Sequence, residues 1–319
     1  MSRYPEADLT RLQRTHIAQR RSKVDAARSA RPAQTPESFD AFWDGLPDLL
    51  AARDLRSLAR AIVAARAQER PVVWMFGAHV IKVGLAPLLR QLIDADLATC
   101  FAVNGAFAIH DAELALWGET SEDVAAELHR GRFGMVAETT QFLNAATREA
   151  AERDEGLGEA VGRNLVASGA PGSPLAVLGH CYARAVPATV HVAIGTDITH
   201  QHPEFSGAAA GAASARDFRI LAAHLGALQG AVVLNVGSAV VMPEVFLKAC
   251  SVAINLGAEP TGLVTATLDF TRHYRPSENV VRRPPGAGGT GHYLVGHHEI
   301  LLPLLVQGVL LERRRAAGV

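Results

Sequence analysis

Apolar positions fall in short unbroken runs separated by stretches of helical spacing, and glycine or polar residues sit where one pattern gives way to the other. Val72–Phe76 is such a run, the signature of a parallel strand buried on both faces, and Gly77-Ala78 lets the chain turn sharply out of it. Leu85, Leu88, Leu89, Leu92 and Ile93 then recur at helical spacing and give that helix one apolar face. Residues 98–103 read as the next strand, ending at Asn104-Gly105, with Ile109-His110-Asp111 immediately after. Together these make one βαβ unit.

The second half repeats the alternation. Helix is predicted over residues 175–185, 217–228, 243–256 and 300–311, and strand over 189–194, 231–236 and 261–268. Between the halves, residues 112–116, 120–129 and 142–152 read as helices, and the glycines at 156, 158 and 162 bend the chain or begin another. Two segments read as loops: 205–214, nearly all Ala and Gly, and 279–292, which holds RRPPGAGGTGH and reads as mobile. Residues 39–65 read as two helices broken near Gly45-Leu46-Pro47, preceded by a polar, Arg-rich arm over 1–38. The pattern predicts an α/β fold, doubly wound, with a largely parallel sheet and helices on both faces, as one domain over residues 39–319.

Composition narrows the possibilities. Hydrophobic residues make up 49% of the 319, ample for a core, and Lys+Arg 31 against Asp+Glu 32 leaves no global field to attract nucleic acid or an anionic membrane. The expected partner is a small molecule. Cys100, Cys181 and Cys250 are odd in number and lie in apolar surroundings, as reduced buried thiols do. No apolar leader and no run of eighteen apolar residues is found, so a cytoplasmic protein is expected.

In open parallel sheets ligands bind beyond the carboxyl ends of the strands, which directs attention to the polar residues there. The sharpest group is Asp197, His200 and His202, one carboxylate and two imidazoles within six residues. They could position and protonate a substrate, bind a divalent metal, or only hold a turn. His110 and Asp111 are adjacent, so their side chains diverge and only one need face a pocket. Lys82, about one turn into a helix, could hold a phosphate or carboxylate. Neither GxGxxG after a strand, GxxxxGK[ST] nor GxSxG occurs.

Several of these strand ends, in order, resemble the deoxyhypusine synthase family. Gly77-Ala78-His79, Lys82-Val83-Gly84 and Val103-Asn104-Gly105-Ala106 are similar to its first two strand ends, with His110-Asp111 where the family has an acidic pair. Ile194-Gly195-Thr196-Asp197, residues 231–241, Asn255-Leu256-Gly257-Ala258, residues 265–270 and Leu301-Leu302-Pro303-Leu304-Leu305-Val306 resemble its later segments, so the likeness runs over roughly residues 40–311.

The resemblance implies a Rossmann-like fold, a homo-oligomer (dimer or tetramer), and NAD or a related nucleotide held by Gly77, His79, Lys82, Asn104, Gly105, Gly237, Ser238 and Asp269. Near the substrate it implies His110, Asp111, Asp197, His200 and His202, an imidazole taking a proton while Asp111 or Asp197 fixes its tautomer. The family's imine-forming lysine has no counterpart, because Thr271-Arg272-His273-Tyr274 follows Phe270 and no lysine lies beyond Lys248. Met242-Pro243-Glu244 stands where the family carries its catalytic histidine. The expectation is a divergent enzyme acting on a small polar substrate other than spermidine and lysine. Alternatives are a non-catalytic binding or assembly protein on the same scaffold, and a metal-dependent enzyme using Asp197, His200 and His202.

Overall fold

A computed structural model describes Arg31 and residues 38–318. The chain divides into two compact units, Met1–Arg53 and Asp54–Val319. The polar arm expected over residues 1–38 lies, apart from Arg31 and Ser38, outside the described residues. In the first unit α1 (Phe39–Gly45) begins where the Ser38 hydroxyl accepts from the Ala41 N–H at 3.3 Å. After the expected break, α2 (Leu50–Ala67) leads into the second unit.

That unit is built on six strands: β1 (Val72–Phe76), β2 (Cys100–Asn104), β3 (Ala188–His191), β4 (Val232–Val236), β5 (Val264–Asp269) and β6 (Thr290–Val295). They are all parallel, in the order β3-β2-β1-β4-β5-β6. The chain therefore works outward from β1 to β3, returns to the centre, and works outward again from β4 to β6. This is the expected doubly wound, Rossmann-like α/β fold, and its strand order reverses between β1 and β4.

In-register pairing sorts the strand residues onto two faces. On one, Val73, Met75, Cys100, Ala102 and Val233 form a buried cluster with Leu221 and Ala222 of α10 (Gly207–His224) and Phe246 and Ala249 of α11 (Val241–Asn255). On the other, the Phe76 ring meets Phe101 at 5.3 Å and Phe107 of α5 (Gly105–Trp117) at 6.1 Å between centroids. The Trp74 indole N–H donates to the Leu97 carbonyl at 3.0 Å, so that ring's one polar atom is satisfied in the core. α13 (His298–Ala316) lies against β5 and α4 (Ala86–Asp94) on the same side.

Two expectations are corrected. Residues 205–214, read as a loop, belong to α10: the Ser206 hydroxyl caps its start by accepting from the Ala209 N–H at 3.2 Å, and Ala209, Ala210 and Ala213 are buried. Small side chains there serve close helix packing. Residues 279–292, read as a mobile loop, contain the end of a π-helical turn (Ser277–Arg282) and the start of β6. β6 is an edge strand whose His292 and Leu294 are buried, with Tyr293 between them half-buried and Gly291 and Val295 exposed. The glycine-rich segment that precedes it hid that alternation. Among the described residues no helix is long and apolar enough to cross a membrane, and all three cysteines are buried and unpaired.

At the reversal of strand order β1 and β4 come so close that a Cβ on Gly77 would lie 2.1 Å from the Gly237 carbonyl oxygen. Gly77→Ala should therefore cost roughly 3 kcal/mol or more, because backbone has to move. Gly211→Ala, on α10 with nothing within 4 Å, should instead stabilise by about 0.5–1 kcal/mol. Urea midpoints of the two variants test this.

Candidate functional site

All six strands run the same way, so the polar residues that end them line one edge of the sheet. They gather there in two neighbouring groups.

The first group surrounds the switch point. Gly237, at φ +69, has no side chain, and a Cβ there would press on the His298 ring at 2.8 Å. His298, second residue past the turn after β6, is buried and sets its Nε2 at 3.2 Å from the Leu268 carbonyl. That nitrogen must carry the proton, since a carbonyl only accepts, and Nδ1 is left as a buried acceptor without a partner. Burial holds this imidazole below its ordinary pKa, which keeps it neutral. Its ring forms a triangle with His79 (5.5 Å) and Phe270 (6.2 Å), and His79 and Phe270 are 6.2 Å apart. His79 and Phe270 are exposed. Asp269, buried at the end of β5, takes the Phe270 N–H on Oδ1 at 2.8 Å. Ser238 is occupied otherwise: its hydroxyl accepts the Met242 N–H at 3.1 Å and so starts α11, and its carbonyl accepts from Asn235 Nδ2 at 3.0 Å.

The second group stands over β2 and β3. A pocket of about 190 Å³ is lined by Lys82, His110, Glu113, Glu122, Thr196 and Asp197, with Ile109, Phe133 and Ile198 as apolar wall. Lys82 reaches it from α3 (His79–Lys82), which also carries His79 toward the ring triangle, so one short helix borders both groups. Asn104 accepts the Phe107 N–H at 3.0 Å and caps α5. Gly105 leaves room for the Asp197 carboxylate, whose Oδ2 would be 2.0 Å from any Cβ there. Burial raises the Asp197 pKa, while the His200 charge and a bond from Thr196 pull it back. A smaller cavity of about 30 Å³ lies behind Asp197, beside Asn144 and His200.

The other three residues expected to do chemistry face inward. His110 and Asp111 diverge as adjacent residues on a helix must. His110 faces the pocket, while Asp111 is fully buried and accepts the Val177 and Leu178 N–H groups at 2.7 and 2.9 Å, holding the start of α9 (Val177–Ala183). His200 Nδ1 accepts from the Gly195 and Asp197 N–H groups, at 3.0 and 3.2 Å, and its ring lies on Phe205 at 4.6 Å. His202 Nε2 donates to the Gly134 carbonyl at 2.7 Å, with Nδ1 3.3 Å from the Thr140 hydroxyl. These imidazoles tie the turn after β3 to itself and to its neighbour. The metal alternative for Asp197, His200 and His202 fails on that geometry, and among the described residues no cluster of three His, Cys, Asp or Glu is arranged to hold a metal ion.

Four residues at the edge escaped the sequence reading. Glu113 shares a helix face with His110 at i,i+3, a signal that was available. Thr120, Phe270 and His298 carry no local pattern. A third cavity, about 320 Å³ and lined by Glu159, Cys181, Tyr182 and Ile220, opens beside Ala188, at the far end of β3 from these groups.

The sequence matches no protein-family model and no curated protein. Solved structures do share the fold. AgrE, in its ternary complex with ornithine and NAD+, is 19% identical with a TM-score of 0.51 over 81% of this chain and 33% of AgrE. A candidate deoxyhypusine synthase from Entamoeba histolytica is 10% identical with a TM-score of 0.51 over 89% of this chain and 96% of that one. ArgZ, an arginine dihydrolase from the ornithine–ammonia cycle in cyanobacteria, is 18% identical with a TM-score of 0.49, over 83% of this chain and 31% of ArgZ. The chain thus spans about a third of the length of ArgZ and AgrE. At these identities the likeness is one of fold: the deoxyhypusine-synthase-like scaffold is one of several that this α/β sheet resembles.

Asp111, expected to be catalytic, and Asp217, for which no role was expected, are both buried ties, and they should dominate stability against pH. Asp217 accepts the Gly158 and Val190 N–H groups at 3.0 and 2.8 Å, as Asp111 does for α9. Burial pushes both carboxyls from the ordinary 3.8 up to about 7, although the N–H groups they receive pull the other way. Between about pH 4 and about pH 7 the folded chain then keeps protons that the unfolded chain releases, so stability should fall as pH rises through that window. The slope of denaturant midpoint against pH should flatten in Asp111→Asn. Asp111→Ala, which orphans two buried N–H groups, should cost roughly 2–5 kcal/mol at any pH in that range.

Proposed function

We propose that this chain is an enzyme that binds NAD or a related nucleotide at the switch point and acts on a small polar substrate in the adjoining pocket. The carrying observation is the close meeting of Gly77 and Gly237, which leaves backbone and the His298 ring as the floor of the switch point beside an exposed pair of rings, His79 and Phe270. Such a floor suits close approach of a planar ring and its sugar.

The residues present fit that group. Phe270 and His79 offer stacking faces, His298 Nδ1 is a buried acceptor still without a donor, and Asp269 ends β5 beneath them. A nicotinamide ring, when bound, would supply hydride transfer. Lys82, His110 and Asp197 surround the place left for the substrate: an ammonium for an anionic group, an imidazole for a proton, and a carboxyl whose burial favours its neutral form. AgrE binds ornithine and NAD+, consistent with this use of the fold. Val240, Phe270, Tyr274, Val295 and Ile300 expose apolar surface and fit the homo-oligomer that the family resemblance implies.

The purified chain should release a nucleotide on denaturation, or bind added NAD in calorimetry. Phe270→Ala should weaken that binding about tenfold, since stacking on an aromatic ring is worth ~1–3 kcal/mol and 1.4 kcal/mol is a factor of ten. Absence of any nucleotide, with NAD producing no heat, favours the non-catalytic alternative.

A further inference from the structure

The proposed function leaves unused a chain of hydrogen bonds behind His110. His110 Nδ1 lies 2.6 Å from the Thr120 hydroxyl oxygen, and that hydroxyl lies 2.5 Å from Glu113 Oε2. The other carboxylate oxygen, Oε1, accepts from the Thr139 hydroxyl at 3.0 Å. Glu113 and His110 share one face of α5, and their direct separation, 3.7 Å between Nδ1 and Oε2, is too long for a good hydrogen bond. Thr120 closes the gap. It stands there because α5 stops at Gly118, whose left-handed φ of +78 turns the chain back.

The direction of the chain follows from proton counting. Glu113 sits below the ordinary carboxylate range: burial alone would raise it, and the nearby His110 imidazole with the bonds from Thr120 and Thr139 outweighs that. It is therefore ionised and can only accept. The single proton of Thr120 must then point at Glu113, because two oxygens 2.5 Å apart without a proton between them would repel. The Thr120 oxygen is left to accept from His110, so Nδ1 carries the ring's proton. In the neutral ring Nε2 is a lone pair with no partner among the described residues, on a side chain that lines the 190 Å³ pocket.

We infer that His110 Nε2 is the proton acceptor of the proposed active site, and that Thr120 and Glu113 are its positioning residues. This rests on the reading of that pocket as the substrate site. When a substrate O–H or N–H gives its proton to Nε2, that bond breaks, the electron pair stays on the substrate atom, and His110 becomes an imidazolium. Glu113 stabilises the new charge through Thr120, the orienting role that a third group plays for a catalytic histidine. The charged groups facing the ring are Glu113 on its own helix, Lys82 from α3, Glu122 from the segment after α5, and Asp197 from the turn after β3. Glu122 is already engaged, its two oxygens 3.2 and 3.1 Å from the Gly134 N–H, which leaves Lys82 as the pocket's ionic contact with substrate and Asp197 as a carboxyl that burial shifts toward its neutral form.

The test needs neither nucleotide nor substrate. Protein labelled with 15N-histidine reports which ring nitrogen holds the proton, and a His110→Gln variant identifies the resonances. The neutral His110 of the native protein should carry its proton on Nδ1, the minor tautomer of free histidine. Thr120→Ser, which keeps the hydroxyl, should retain that signature. Thr120→Val, of similar shape, should lose it and shift His110 toward the Nε2-protonated form. Circular dichroism of the two variants separates a lost relay from a lost fold, and Thr120→Ser alone decides if Thr120→Val does not fold. A native His110 protonated on Nε2, or a Thr120→Val variant with unchanged signature, overturns the inference. Because NAD binding is read separately, a correct tautomer without nucleotide binding refutes the proposed function and spares the relay, and the converse result does the reverse.

Discussion

The carboxyl edge of the sheet depends on one close approach, that of β1 and β4 where Gly77 passes Gly237. Any side chain on Gly77 would occupy the place of the Gly237 carbonyl, so the two strands could not run side by side to their ends. With both residues bare, the chain can leave β1 toward α3 and leave β4 toward α11, and it is between such diverging connections that open parallel sheets hold their cleft. Into that cleft the rest of the edge delivers its groups: α13 brings His298 against Gly237, β5 ends in Asp269-Phe270, and α3 carries His79 to one side and Lys82 to the other.

The polar residues of the edge divide into those that hold the scaffold and those that face its hollows, and the division follows from unpaired backbone. Each helix that starts near the sheet must satisfy its first N–H groups. Asn104, Asp111, Ser238 and Asp217 do this for α5, α9, α11 and α8 (Leu157–Ser168), and their side chains are committed. The turn after β3 has the same need, and His200 is drawn inward to accept its N–H groups, while His202 is drawn inward to donate to the Gly134 carbonyl. What remains for chemistry is a shorter set: His110, Asp197 and Lys82 in one hollow, His79, Phe270 and Asp269 at the other.

The strands and helices were legible because burial on both faces leaves an unbroken apolar run, which β1 displays fully and β4 interrupts only at Asn235. β6 was not, since an edge strand that follows a glycine-rich segment and is exposed on one face shows no such run, and α10 was not, since alanines selected for close packing look like a flexible loop. In the site, residues that end strands could be named from position alone. Their direction could not. Whether Asp111 or His110 enters the pocket is settled by what α9 needs, more than sixty residues further on. Thr120 acquires meaning only through its distances to His110 and Glu113.

The central claim, that a nucleotide sits over the Gly77–Gly237 floor, is tested most directly by hydrogen exchange with and without NAD. Protection should appear together in residues 77–82, 237–240, 269–271 and 296–300, segments distant in sequence that meet only at the switch point. Protection confined to residues 157–188, around the large cavity at the far end of β3, or no change anywhere, would contradict it.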